Sequence, residues 1–520
     1  MLLDTLKNLC GIHNMSQPLQ SINLVAPAFQ GINTEDSPLA QDPSFAEIAD
    51  NAVIDKRGRI AARKGISMIT EDATELGADR VHKLHYFYDS ADNEVVFSVG
   101  NNKILSGTTT LVDETPASYT ITSNNWKIVN FNDSCYFFQR GYEPLVYNDT
   151  LGAVTKMSSV SGASITSAQY CHEALAAFGR LWIVDSASNS NTIYWSDLLI
   201  GHDFSGGSSG SINVEKVWPD GFDEVRALAA HNNLLIVFGN HSIIVYQNAE
   251  SPAEMVLADT VAGVGCVCRN SLQHIGTDIL FMSQTGLRNF GRTIQEKSMP
   301  TTDLSRNIKQ ELLLNLQSRT EPTSSVYSPE NYFYLITFPG ENLTYCFDLR
   351  GLLENGAYRV TRWPSSIFKS YERAPDGTLY IGTSSGIGTY GGYLDAGQTY
   401  RFRYYSPGLS FGDSSKVKML KKLRPTIVGS GGEELSIYWS YDFTESYSRA
   451  VINLNTSQIA YYGESEYGVD NYAGGIATTR KSINGTGAGS VVTIGAEVDV
   501  NGSPISIQEI NVLALIGRTL

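Results

Sequence analysis

Eight histidines, His13, His82, His85, His172, His202, His231, His241 and His274, are the first candidates for chemistry in this sequence. None stands in a His-Glu-x-x-His pattern or at zinc-ligand spacing from a cysteine pair, the arrangements that let imidazoles converge on a metal. Cys266 and Cys268 are two residues apart, which in a strand puts both thiols on one face. Zinc fingers and ribbons use a longer gap, so no metal site is predicted there. Cys171-His172-Glu173 sets a nucleophile, a base and an acid side by side. Adjacent strand residues point to opposite faces, however, so the trio does not amount to an activated nucleophile. No phosphate-binding loop, nucleophile elbow or kinase signature is read in the chain. No catalytic, cofactor-binding or metal-ligating residue is expected.

Carboxylates need separate treatment, because two of them suffice for glycoside hydrolysis. Pro375-Asp376-Gly377-Thr378-Leu379-Tyr380 is similar to the aspartate-box turn of sialidases, but it occurs once, and Asp-Gly is also a common hairpin turn. Two basic clusters stand out instead. Lys56, Arg57, Arg59, Arg63 and Lys64 put five positive charges into nine residues, and Lys416, Lys418, Lys421, Lys422 and Arg424 do the same. Each reads either as a solvated face or as a docking surface for an acidic protein partner or, second to that, for phosphates. Screening at physiological salt confines such steering to about 8 Å, which favours contact interfaces over long-range capture.

The elements that carry these residues are mostly strands. An apolar strand, a two-residue turn and a strand rich in aromatic and β-branched residues recur seven times, with turns at Asp92-Asn93, Asn132-Asp133, Gly179-Arg180, Asn232-Asn233, Gly276-Thr277, Glu330-Asn331 and Asp376-Gly377. Asn, Asp and Gly suit these turns because tight hairpins require positive φ. The turns lie 40 to 54 residues apart, matching the roughly 40–50 residues of a four-stranded propeller blade. One blade cannot bury both of its apolar faces, whereas blades stacked radially shield one another. The spacing therefore predicts an all-β chain built on a β-propeller of about seven blades over 78–397. Leu304, Ile308, Leu312 and Leu316 fall four apart and predict an inserted amphipathic helix at about 302–318, capped by Thr302 or Asp303. It reads as a lid on the propeller rim or as a helix facing a neighbouring subunit or a channel.

The flanks differ. Residues 1–77 read as an extended segment (17–37), a short helical candidate (44–49) and a strand-turn-strand through the first basic cluster, with Met15 an alternative start. Residues 398–520 read as strands separated by Gly-rich turns and predict a β-sandwich. The chain has 520 residues, a net charge of −15 and 42% hydrophobic residues. That is enough to bury a core and the wrong balance for gripping nucleic acid. Six cysteines are too few for a disulfide framework, and no apolar run approaches the ~20 residues of a spanning helix. A secretory signal is not expected, because the first residues lack a basic start and an apolar block.

Several segments, in order, carry a family resemblance. They are Gln30-Gly31-Ile32-Asn33, Asn51 with Gly58-Arg59 and Arg63-Lys64-Gly65, and Arg180-Leu181-Trp182 with Tyr194-Trp195-Ser196-Asp197 and His202-Asp203-Phe204. Gly265-Cys266, Phe281-Met282-Ser283-Gln284-Thr285-Gly286-Leu287, Cys346-Phe347-Asp348, Tyr358 and Trp363, and Leu379-Tyr380-Ile381-Gly382 with Tyr393-Leu394-Asp395 continue the series. Together they resemble the tail nozzle proteins of short-tailed bacteriophages, also called tail tubular protein B. The resemblance implies a non-enzymatic virion protein, assembled in the host cytoplasm as a homohexameric ring. Its implied partners are the adaptor ring of the portal complex and tail fibres or spikes, with genomic DNA passing through unbound and no cofactor. The competing class is a propeller-type glycan-binding or glycan-hydrolysing protein.

Overall fold

A computed structural model describes residues 19–121, 125–296, 303–454 and 478–519. The chain is all-β and is built around a β-propeller. Six separate sheets of three or four antiparallel strands form blades at 83–113, 127–156, 171–213, 227–261, 273–289 and 370–390. The count of about seven is thereby corrected to six. The hairpin turning at Glu330-Asn331 does not make a separate blade. Its four strands, Ser324–Ser328, Phe333–Phe338, Leu343–Leu352 and Tyr358–Pro364, are one end of a nine-stranded sheet that sits in the ring between the fifth and sixth blades.

Hairpin chemistry explains the regularity. Asn132 and Asp133 (φ 46° and 53°) and Asn232 and Asn233 (φ 49° and 59°) occupy the left-handed region that two-residue turns demand. The third turn uses Phe178 and Gly179 rather than Gly179 and Arg180. Between neighbouring blades, facing sheets interlock through apolar clusters. Phe97 meets Phe137 edge-on at 5.2 Å between the first two blades, and Phe238 meets Phe281 at 5.0 Å between the fourth and fifth. The ring closes through the N-terminal region. Strand Ile66–Met68 pairs with Ile387–Tyr390 as the outermost strand of the sixth blade. There Gly65 lies so close to Leu394 that an added Cβ would stand 1.9 Å from its carbonyl oxygen.

The strands expected in a C-terminal sandwich are distributed over two large sheets, and both also recruit N-terminal strands. Lys416–Gly429 and Ile505–Thr519 run through an eight-stranded sheet that includes Gln20–Leu24, Ala52–Ile54 and Ile60–Ala62. Tyr400–Tyr405, Glu434–Tyr441 and Val492–Val500 belong to the nine-stranded sheet. The two sheets share one core, with Leu423, Ile507 and Val512 from the first and Phe402, Ile437 and Ile494 from the second. The helix expected at 44–49 is instead a strand, Ile48–Asp50, wedged between Tyr358–Pro364 and Tyr400–Tyr405. It thus joins the propeller's portion of the nine-stranded sheet to the rest. Edge pairing outweighs the weak helical preference of so short a segment.

The inserted helix is shorter than the spacing predicts. A 3₁₀ turn, Arg306–Ile308, leads into Lys309–Ser318. Leu304, Ile308, Leu312 and Leu316 are all buried, as their spacing requires, in the core that the nine-stranded sheet shares. Thr302 lies outside the described residues, and Asp303 does not cap the helix. Its carboxylate accepts instead from the amide and hydroxyl of Ser305. No helix among the described residues is long and apolar enough to cross a membrane.

Candidate functional site: the basic clusters and the propeller axis

The first basic cluster is divided by the hairpin that carries it. Lys56 and Arg57 are exposed at the turn, and Lys64 is exposed at the far end, 5.8 Å from the Tyr390 ring centre. Arg59 is tied to Asp55 at 2.6 Å. Arg63 is no surface residue. It is fully buried, forms a two-pronged pair with Asp395 (2.7 and 2.6 Å), donates to Asn51 Oδ1, and lies against Tyr400 and Phe368 at 4.3 and 4.6 Å. It acts as a structural rivet. Its partners come from sequence positions far away, so local charge density gave no sign of its burial.

The second cluster divides likewise. Lys421 and Lys422 are exposed and Arg424 half-buried on the eight-stranded sheet, while Lys416 pairs with Asp413 at 3.1 Å. The hydroxyl and amide of Ser415, together with Lys416, pull the Asp413 carboxyl down to about 2. Lys418 is buried, and its ammonium donates to the carbonyls of Ser490 (2.7 Å) and Asp413. Burial lowers its pKa. Arg63 and Lys418 therefore leave the interface set. Lys56, Arg57, Lys64, Lys421 and Lys422 remain as exposed cations.

Sequence reasoning missed the densest charge assembly, which lies where the innermost strands converge. Lys127 of the second blade reaches Glu173 of the third at 3.1 Å. Arg269, on the turn before the fifth blade, reaches Glu173 at 3.0 Å and Asp185 at 2.6 Å, and donates to the Arg226 carbonyl at 2.7 Å. Arg140 adds a second contact to Asp185 at 3.1 Å. Across the axis, Glu372 of the sixth blade lies 3.5 Å from His85, which bonds Asn130 at 2.8 Å. Cys171, His172 and Glu173 do not segregate as simple alternation predicts: Cys171 packs into the apolar cluster between the second and third blades, where burial pushes its thiol up, while the adjacent His172 and Glu173 both meet Arg269. The signal that could have revealed the axis was a polar residue recurring on the first strand of each repeat.

The remaining motifs resolve as structure. Cys266 and Cys268 sit in a loop rather than a strand and fall in different cores; burial pushes the Cys266 thiol up to about 12. Among the described residues no group of three or more His, Cys, Asp and Glu could hold a metal. Asp376 spends both carboxylate oxygens on Thr378, closing its own turn. Gly-x-Ser-x-Gly does occur as text, at 206–210 and 382–386, but neither is followed by the helix a nucleophile elbow requires. Ser208 is fixed between Asp197 and Arg180.

Burial makes the axis pH-sensitive. His172 is held below the ordinary histidine range by desolvation and then by Arg269, and His85 chiefly by desolvation. Both are therefore neutral in the folded chain, whereas the unfolded chain takes up protons near pH 6.5. The unfolded state then binds more protons, so stability falls as pH drops through that value. His82, His202 and His274 act in the same sense, while Glu47, Asp50 and Asp348, all raised by desolvation, act in the opposite sense. The denaturation midpoint should decline between pH 7 and pH 5. His172→Gln should flatten that slope. A midpoint that is level or rising over this range contradicts the account.

No family model and no curated protein matches the chain. Among solved structures it is similar to the extracellular domain of a putative hybrid two-component system from B. thetaiotaomicron, with 12% identity and a TM-score of 0.41, over 65% of this chain and 40% of that one. It is similar to the computationally designed Ika8 protein, with 11% identity and a TM-score of 0.38, over 63% and 99% of the two chains. The WD40 domain of Pan2 from Neurospora crassa shows 8% identity and a TM-score of 0.38, over 64% and 97%. The chain spans about 40% of the first of these, and no functional reading rests on likenesses this distant.

Proposed function

We propose that this chain is a non-enzymatic wall component of a short-tailed phage tail, the nozzle ring through which the genome leaves. In this reading the propeller is a stiff block, and the two large sheets act as a sandwich platform for contacts with neighbouring copies and the adaptor ring. The observation that carries it is the strand Ile48–Asp50, which makes one sheet continuous from the propeller ring into the second β body with no flexible linker. A conduit wall must hold its geometry under load, and an unbroken hydrogen-bonded sheet does so. The propeller's own axis is not the conduit in this proposal. Its cavities, about 300 and 280 Å³, have the size of small-ligand sites, so DNA would pass between copies. Six copies at −15 each give −90, which disfavours adhesion of a polyanion in transit.

Electron microscopy of the purified chain, alone and mixed with its adaptor ring, tests the proposal. The expected result is a sixfold ring with an open, predominantly acidic lumen. Exposed Lys56, Arg57, Lys64, Lys421 and Lys422 should then fall at protein contacts. A monomer or trimer that turns over surface glycans, with activity lost on one carboxylate substitution, would overturn it in favour of the glycan-active alternative.

A further inference from the structure

We propose that the axial cavity of the propeller binds a small multivalent oxyanion, of the class of inorganic phosphate or a short dicarboxylate. The two lobes share Asn125, Arg269, Asn270, Pro322 and Thr323 in their walls and so adjoin one another. Five cationic side chains line it, Lys83, Lys127, Arg226, Arg269 and Arg319, against two carboxylates, Glu321 and Glu372. That excess is concentrated inside a chain whose net charge is −15. A cleft with low-dielectric walls focuses such a field onto whatever occupies it.

Three of these cations already have carboxylate partners: Arg226 pairs with Glu224 at 3.1 Å, and the buried Glu173 and Asp185 hold Lys127 and Arg269. Glu321 is paired with Arg80 at 2.7 Å, so Lys83 and Arg319 carry the charge left for a ligand. Lys83 has no ion-pair partner within 4.0 Å among the described residues. Burial lowers its pKa, with Glu372 opposing the shift and the neighbouring Lys127 adding to it. Among the described residues Arg319 donates to the main-chain carbonyls of Leu316 and Val267. An oxyanion between Lys83 and Lys127 would relieve their repulsion and accept charge-assisted hydrogen bonds from both. Hydroxyl and amide groups of Ser324, Thr323 and Gln273 complete a polar wall. The innermost strands hold these groups in place before any ligand arrives, which keeps the ordering cost of binding low.

Calorimetric titration of the full chain with inorganic phosphate, and separately with malonate, at ionic strength matched by chloride, tests the inference. Saturable binding of one anion per chain is expected, and the tighter of the two identifies the class. Lys83→Gln should weaken it about tenfold, the loss of one charge-assisted bond, while leaving the ligand-free denaturation midpoint unchanged or raised. Arg319→Gln supplies an independent lesion should the first variant fail to fold. Absence of saturable heat with both anions, or affinity undiminished in the folded variants, overturns the proposal. Failure here leaves the assembly experiment untouched, because that one reads copy number and not ligand.

Discussion

Replacing Arg63 with alanine is expected to lower the stability of the fold by about 3–5 kcal/mol, the cost of stripping one partner from a buried ion pair. The guanidinium is fully enclosed, and Asp395 is only 12% exposed. The alanine variant would leave that carboxylate without its counter-charge and would empty the space where the guanidinium lies against Trp363, Phe368 and Tyr400. The site joins three parts of the molecule. Arg63 follows the hairpin strand Ile60–Ala62, Asp395 follows the sixth blade, and Tyr400 opens a strand of the nine-stranded sheet. Chemical denaturation should show a large fall in midpoint for Arg63→Ala. A smaller but definite fall is expected for Arg63→Lys, which keeps the charge and loses the two-pronged geometry. Lys56→Ala and Arg57→Ala, at exposed positions of the same hairpin, should move the midpoint by no more than about 0.5 kcal/mol. Were Arg63→Ala to unfold like the native chain while failing to assemble, the residue would return to the interface set and the structural account would fail.

That contrast within nine residues marks what the sequence could and could not convey. Asn132-Asp133 and Asn232-Asn233 announce their turns because positive φ is a local demand, met by few residue types. The spacing of Leu304, Ile308, Leu312 and Leu316 likewise contains its own answer, since a helix brings those positions onto one face. Ile66–Met68 is different. Three residues carry no period, and their partners lie some 320 positions away at Ile387–Tyr390, so ring closure was invisible. The same distance hid the fate of 44–49, where pairing on both sides decided for a strand. The merging of the Glu330-Asn331 hairpin into a nine-stranded sheet hid the blade count, because a blade and a sheet end have the same local pattern. The charged axis was obscured for a related reason. Lys127, Glu173 and Arg269 are unremarkable alone, and only convergence of three repeats makes them a site.

Glu173 is the position where that convergence can be measured. It is fully buried, and its two oxygens face Lys127 from the second blade and Arg269 from the turn before the fifth. The amide of Leu228 in the fourth blade also points at it, at 3.4 Å. One carboxylate thus ties together four members of the ring. Glu173→Ala should cost about 3–5 kcal/mol, because it strands Lys127 and leaves Arg269 with Asp185 alone in a poorly solvated centre. Glu173→Gln keeps the shape and should cost less, since the amide still accepts one hydrogen bond. The decisive measurement is a double-mutant cycle on the denaturation midpoint. Combining Glu173→Gln with Lys127→Gln removes both charges, and the pair should be less damaging than the sum of the single changes, by about 0.5–3 kcal/mol. Strict additivity would mean that Lys127 and Glu173 merely lie near one another. The ring would then owe its closure to the apolar clusters between blades alone. Coupling of the expected size would instead make the axis a keystone, as the proposed role of a rigid wall component requires.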